Sequence, residues 1–172
     1  MYSKETGFTL IEVLVVVAII GLMSAMGMAS YFEFADNNRI KGAAQEVQVF
    51  LRDIQNRAKM GDRGEGFCAT NGANSVLGKK FEGWQVSFSA GGTKIEAWPL
   101  CDGSTKGTVK TYNLPIPTEF ANDPTSEIVF PPLYTNLQGG SPVTVQVTDK
   151  DSVAIYEFTI SAGGSMSKIE KK

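Results

Sequence analysis

The apolar positions of this chain fall into three regimes. From Phe8 to Ser30 they are almost continuous, "FTLIEVLVVVAIIGLMSAMGMAS", and the single charge in that run is Glu12. From Tyr31 to Met60 they thin to a stripe of Ile40, Ala44, Val47, Leu51, Ile54 and Ala58. Steps alternating between four and three place that stripe on one face of an amphipathic helix. Arg39, Lys41, Glu46, Arg52, Asp53 and Arg57 take the opposite face and read as a solvated surface, the other use for them being contact with a neighbouring molecule. No proline interrupts Phe8 to Met60. One helix of roughly 50 residues, about 80 Å long, is therefore predicted, with Gly21 and Gly27 as its points of bending. The glycines of "GDRGEG", Gly61 to Gly66, end it.

From Phe67 onward β-branched and aromatic residues alternate with polar ones. The segments "WQVSFS" from Trp84, "TKIEAWP" from Thr93, "GTVKTYN" from Gly107, "EIVFP" from Glu127, "PVTVQVTD" from Pro142 and "VAIYEFTI" from Val153 read as strands. Gly91-Gly92, Asp149-Lys150-Asp151 and Gly163-Gly164 read as the turns between them. The predicted fold class is α+β, a small antiparallel sheet covered on one face by the helical stripe from Ile40 to Ala58.

At 1.5 Å per residue, Phe8 to Ser30 makes about 34 Å of helix, enough to cross a hydrocarbon core of ~30 Å. A secretory signal has a shorter apolar core of roughly 7 to 15 residues. A plain anchor has no use for Glu12, since an ionised carboxylate costs on the order of 2.5 to 3.5 kcal/mol at mid-bilayer. Such an acid is by default functional, with a partner to be named. Lys4 and the amino terminus hold the short end in the cytoplasm by the positive-inside tendency, which sends everything after Ser30 outside it.

Composition changes this picture mainly by exclusion. The chain has 172 residues and a formal net charge of -2, so no bulk nucleic-acid footprint is present. It contains no histidine. That removes serine-histidine and cysteine-histidine nucleophile pairs and the commonest metal ligand, so neither an enzyme nor a metal or other cofactor is indicated. Asp149 and Asp151 lack the twelve-residue calcium-loop spacing with its terminal glutamate and read as a hairpin turn; Asp102 and Asp123 join no catalytic constellation. Trp84 and Trp98 read as packing residues, the sharper reading being stacking platforms for a ligand or single-stranded nucleic acid. Cys68 and Cys101 are the whole thiol inventory. In an oxidising compartment they form one bridge closing a loop of about 34 residues, contributing up to roughly 3.8 kcal/mol in the chain-entropy estimate; buried free thiols are the alternative.

Gly7 followed by "FTLIE", behind a six-residue leader containing Lys4, resembles the class III signal of type IV prepilins and pseudopilins. The resemblance implies cleavage by a membrane-embedded prepilin peptidase between Gly7 and Phe8, N-methylation of Phe8, and an assembly role for Glu12 as the fifth residue of the mature chain. It also implies a ladle-shaped subunit in four parts: leader 1–7, membrane and filament-core helix 8–30, amphipathic helix 31–60 and β-rich head 61–172. Its partners by resemblance are other pilin or pseudopilin subunits in a helical filament, the peptidase, an inner-membrane assembly platform and, before assembly, membrane lipid. The place implied is the cytoplasmic membrane, single-pass with the head outside, then a periplasmic or extracellular filament. The region where many pilins carry a proline holds Ala29 here.

Physical chemistry gives Glu12 a partner within that resemblance. Cleavage creates an ammonium on Phe8, and the carboxylate of a neighbouring copy, offset along the helix axis, neutralises it. A second resemblance is carried by "NNRIKGAAQEVQVFLRDIQNRAKM", a following cysteine and "GWQVSF", which are similar to the H-type minor pseudopilins and the FimT kind of minor pilin. Some of that group bind DNA through an arginine-bearing segment after the last strand. Here the tail "SAGGSMSKIEKK" offers Lys168, Lys171 and Lys172 and no arginine, so a DNA-binding minor pilin of a competence pilus is the alternative function.

Overall fold

The structure is a computed structural model, described here for residues 7–64, 80–89, 91–103, 109–121, 128–133, 137–150 and 154–172, apart from the side chains of 25–27, 29 and 30. Lys4, Cys68, Asp123 and Asp151 lie outside the described residues. The chain divides into two compact units, Met1–Asn38 and Arg39–Lys172.

One helix, α1, runs Leu10–Lys59. Its predicted end is where the sequence placed it. Gly61 has φ +69°, and its N–H donates to the Ala58 carbonyl at 3.0 Å while that of Asp62 donates to Arg57 at 2.9 Å. This paired pattern satisfies the last carbonyls of the helix and needs a left-handed residue, which glycine adopts without a Cβ penalty.

Among the described residues the second unit forms eight strands: β1 (Phe81–Phe88), β2 (Lys94–Cys101), β3 (Lys110–Asn113), β4 (Thr118–Phe120), β5 (Ile128–Phe130), β6 (Val143–Asp149), β7 (Ile155–Ile160) and β8 (Glu170–Lys171). All pairings are antiparallel. The strands sort into two sheets, β3-β2-β1-β5 and β4-β6-β7-β8, where the sequence suggested one. The sheets meet at a corner: the Gly91 N–H donates to the Phe120 carbonyl at 3.1 Å and the Phe120 N–H to the Gly92 carbonyl at 3.0 Å.

Every member of the helical stripe, Ile40, Ala44, Val47, Leu51, Ile54 and Ala58, is fully buried. Those side chains share one core with Trp84, Val86, Ile95 and Phe130 of the first sheet and Val145, Val147, Phe158 and Ile160 of the second. Full burial of each large apolar side chain contributes about 1.5–3 kcal/mol. Trp84 is core, and its Nε1–H donates to the Asp62 carbonyl at 2.7 Å. Trp98 is only partly buried, on the other face of β2, paired in register with Gln85.

The charged flank of α1 does more than meet water. Arg39 forms an ion pair with Asp149, which is buried at the end of β6. Arg57 holds Asp53 at 2.9 Å and Asp62 at 2.8 Å. Glu46 accepts a hydrogen bond from the Tyr112 hydroxyl, and the Tyr112 ring lies 5.7 Å from that of Phe50. Arg39 and Glu46 are exposed, as the solvated-face reading has it, and they also tie the helix to strands that periodicity alone does not place beside it.

Burial first, and then the hydrogen bond to Glu46, push the Tyr112 phenol above its ordinary pKa. The neutral phenol is the form the fold favours, so its contribution is complete below the ordinary value of about 10. It is lost as pH rises through the raised value. Thermal melts of the full chain should weaken from about pH 10 upward, and Tyr112→Phe should flatten that part of the profile. The difference is expected to stay near or below about 1 kcal/mol, because the site is partly open to solvent.

Candidate assembly site

Residues 7–9 are coil and α1 begins at Leu10. Thr9 caps it: the Glu12 N–H lies 3.3 Å from Thr9 Oγ1 and 3.1 Å from the Thr9 carbonyl. Thr-x-x-Glu is the sequence of a capping box, with Glu12 at its third helical position. That signal was readable in "TLIE", and it gives Glu12 a local setting that the apolar pattern alone conceals. A carboxylate in the first turn also complements the positive end of the helix dipole.

Gly7 and Phe8 precede the cap. A Cβ built on Gly7 meets nothing within 4 Å, and its φ is not in the left-handed region. Among the described residues nothing demands glycine there. Phe8 is 83% exposed.

Behind the cap the apolar side chains face outward on every side. Leu10, Ile11, Val13, Leu14, Val15, Val16, Val17, Ile19, Ile20, Leu22 and Met23 are all exposed, none below 49%. A helix apolar all round is a buried helix in its working state, surrounded by lipid or by protein. A shallow hollow along it is lined by Phe8, Leu10, Val13, Leu14 and Val17, and Glu12 lies outside that hollow. Among the described residues no helix is long and apolar enough to cross a membrane.

Away from this segment, the other residues singled out in the sequence are dispersed. Cys101 is buried at the end of β2, in register with Phe81. Lys171 sits on β8 opposite Tyr156, Lys172 donates its backbone N–H to the Ile155 carbonyl at 2.9 Å, and Lys168 lines a groove with Lys41 and Arg52. The tail is thus a paired strand. Among the described residues no group of acidic or cysteine side chains is placed to hold a metal ion.

The family described as "Prokaryotic N-terminal methylation motif" matches residues 2–28. The chain is 30% identical over 93 residues to the type IV major fimbrial protein FimA of Dichelobacter nodosus, covering 54% of this chain and 60% of that protein. It is 27% identical over 92 residues to the type IV major pilin protein PilA of Myxococcus xanthus (strain DK1622), covering 54% of this chain and 41% of that protein. The chain thus spans between two fifths and three fifths of the curated relatives it matches. No solved structure matches it. The motif match, the pilin relatives and the helix-then-sheet order agree: the chain carries a prokaryotic N-terminal methylation motif, is similar to type IV pilins over about half its length, and has an α+β fold.

Proposed function

We propose that this pilin-like structural subunit is cut after Gly7 by a prepilin peptidase, methylated on Phe8 and polymerised through its first helix into a type IV pilus or type II secretion-like filament. One observation carries the reading. An all-round apolar helix surface bears a single carboxylate, Glu12, in its first turn, directly behind a glycine whose surroundings are open. Lipid satisfies the apolar surface before assembly, and the helices of other copies satisfy it afterwards. The Phe8 ammonium made by cleavage meets Glu12 of an adjoining copy, so that two costly charges become one pair. In this reading Phe8 to Ser30 is the single-pass anchor, the second unit lies outside the cytoplasm, and the assembly platform and peptidase are the membrane partners.

A Cys68–Cys101 bridge belongs to the same proposal. Cys101 is buried at the end of β2, and Cys68 and Cys101 are the chain's two cysteines. Export to an oxidising compartment supplies the conditions for such a bond.

Intact-mass analysis of the chain recovered from membranes or filaments tests the reading. The expected first residue is Phe8 carrying one added methyl group. Gly7→Leu should leave full-length precursor in the membrane, because a side chain at the scissile position obstructs an extended backbone in the peptidase cleft. A mature chain starting elsewhere, or normal trimming of that variant, would overturn it.

A further inference from the structure

In the second unit, the exposed face of α1 and the segment after β7 enclose a groove of about 310 Å³. Lys41, Gln45, Gln48 and Arg52 line one wall, and Ser167 and Lys168 belong to the other. Gln48 Nε2 donates to the Ser167 carbonyl at 2.7 Å and holds the two walls together. Three cations converge here and, among the described residues, no carboxylate lines the groove. Among the described residues Lys41, Arg52 and Lys168 make no ion pair. Like charges left facing one cleft, without a counter-charge of their own, call for an anionic occupant.

The same unit carries an anionic feature of matching size. Glu157 on β7 and Glu170 on β8 are directly opposite in register. A like-charge pair across two strands is destabilising until a cation reaches it. Gln146 Nε2 donates to Glu157 at 2.7 Å, which leaves the charge of the pair unneutralised. Along β7 the neighbours of Glu157, Tyr156 and Phe158, are buried in the core that also holds the α1 stripe, so Glu157 and Glu170 stand on the opposite face of the sheet. A copy cannot reach its own groove with that face.

We infer that the Lys41–Arg52–Lys168 groove is the docking site for the Glu157–Glu170 pair of a second copy of this chain. The proposal rests on the filament reading above and names a contact between the second units of neighbouring copies. Because donor and acceptor surfaces differ, the contact is heterologous, and repetition extends it into an open helical array rather than a closed dimer. Each contact relieves two unfavourable arrangements, the crowded cations and the opposed glutamates. Charge complementarity of this kind fixes register and rejects wrong orientations as much as it adds affinity.

Charge reversal and exchange in the full-length chain, in cells that assemble the wild type, test the inference. K41E/R52E/K168E should be cut after Gly7 and melt like wild type, yet enter filaments at least tenfold less. E157K/E170K should behave the same way. Combining all five changes restores the pairing with its polarity swapped, and at least half of wild-type assembly should return. Wild-type filaments from either reversed variant, or failure of the combined variant when both parents fold, would overturn the contact and leave the filament reading standing. Normal assembly of the triple variant with loss of a low-salt shift of double-stranded DNA would reassign the groove to a polyanion. A wild-type chain that is trimmed but never enters filaments would overturn both readings together.

Discussion

Glu12→Gln should leave the chain cleaved after Gly7, inserted in the membrane and absent from filaments. The substitution separates charge from local structure. Thr9 caps the Glu12 backbone N–H, which any residue supplies, and glutamine is accepted at this position of a capping box as readily as glutamate. Helix initiation therefore survives while the carboxylate is lost. In the assembled state the Phe8 ammonium of an adjoining copy would then be buried without a partner. Breaking a buried pair from one side costs about 3–5 kcal/mol, roughly a hundred- to several-thousand-fold in the equilibrium for each contact. Glu12→Asp keeps the charge on a shorter arm and should assemble at an intermediate level. Immunoblots of sheared filaments against whole membranes read both variants. Wild-type incorporation of the glutamine form would contradict the pairing role, whatever its effect on processing.

How far the chain discloses its own fold depends on the length over which a pattern repeats. The stripe from Ile40 to Ala58 spans five helical turns, so its burial was legible from spacing alone, and all six positions are in the core. Strands β1, β2, β3, β5, β6 and β7 were legible from alternation, with ends displaced by at most three residues. β4 and β8 were not: Thr118-Glu119-Phe120 lacks the apolar run that marks the equally short β5, and Glu170-Lys171 is two charged residues. They are made by pairing with β6 and β7, a non-local cause. The division into two sheets was hidden for the same reason.

At the assembly segment the residue types were readable and their setting was not. Gly7, Phe8 and Glu12 stand out in the apolar run, but only the coordinates show that the fold makes no use of glycine at position 7. Arg39 and Glu46 show the converse. Their helical phase marks them as outward-facing, yet Asp149 and Tyr112, more than sixty residues later, reach them. A charge on a helix surface carries no record in the sequence of which strand end will meet it.

The Gly83-Trp84 step sets the largest expected loss of stability. β1 gains one residue against β2 between Phe81 and Gly83, a bulge, and Gly83 takes φ +133° there. β5 crosses so closely that a Cβ on Gly83 would lie 2.0 Å from the Phe130 carbonyl oxygen and 2.9 Å from the Pro131 Cα. These are backbone atoms of a strand paired to β1 through Trp84, so no side-chain rotation relieves the collision. Gly83→Ala must move β5, and with it the buried Phe130 and Ile128. The backbone conformation alone costs a residue with a Cβ roughly 1–3 kcal/mol, and the collision adds to that. The melting temperature of the full-length chain in detergent, followed by the fluorescence of buried Trp84, should fall by roughly 10 °C or more. Gly61→Ala is the control, since Gly61 is also left-handed at φ +69° but has nothing within 4 Å of an added Cβ. It should lose only about 1 kcal/mol, the penalty of the conformation itself. Equal losses at the two sites would mean that the approach of β5, rather than the position of Gly83, gives way.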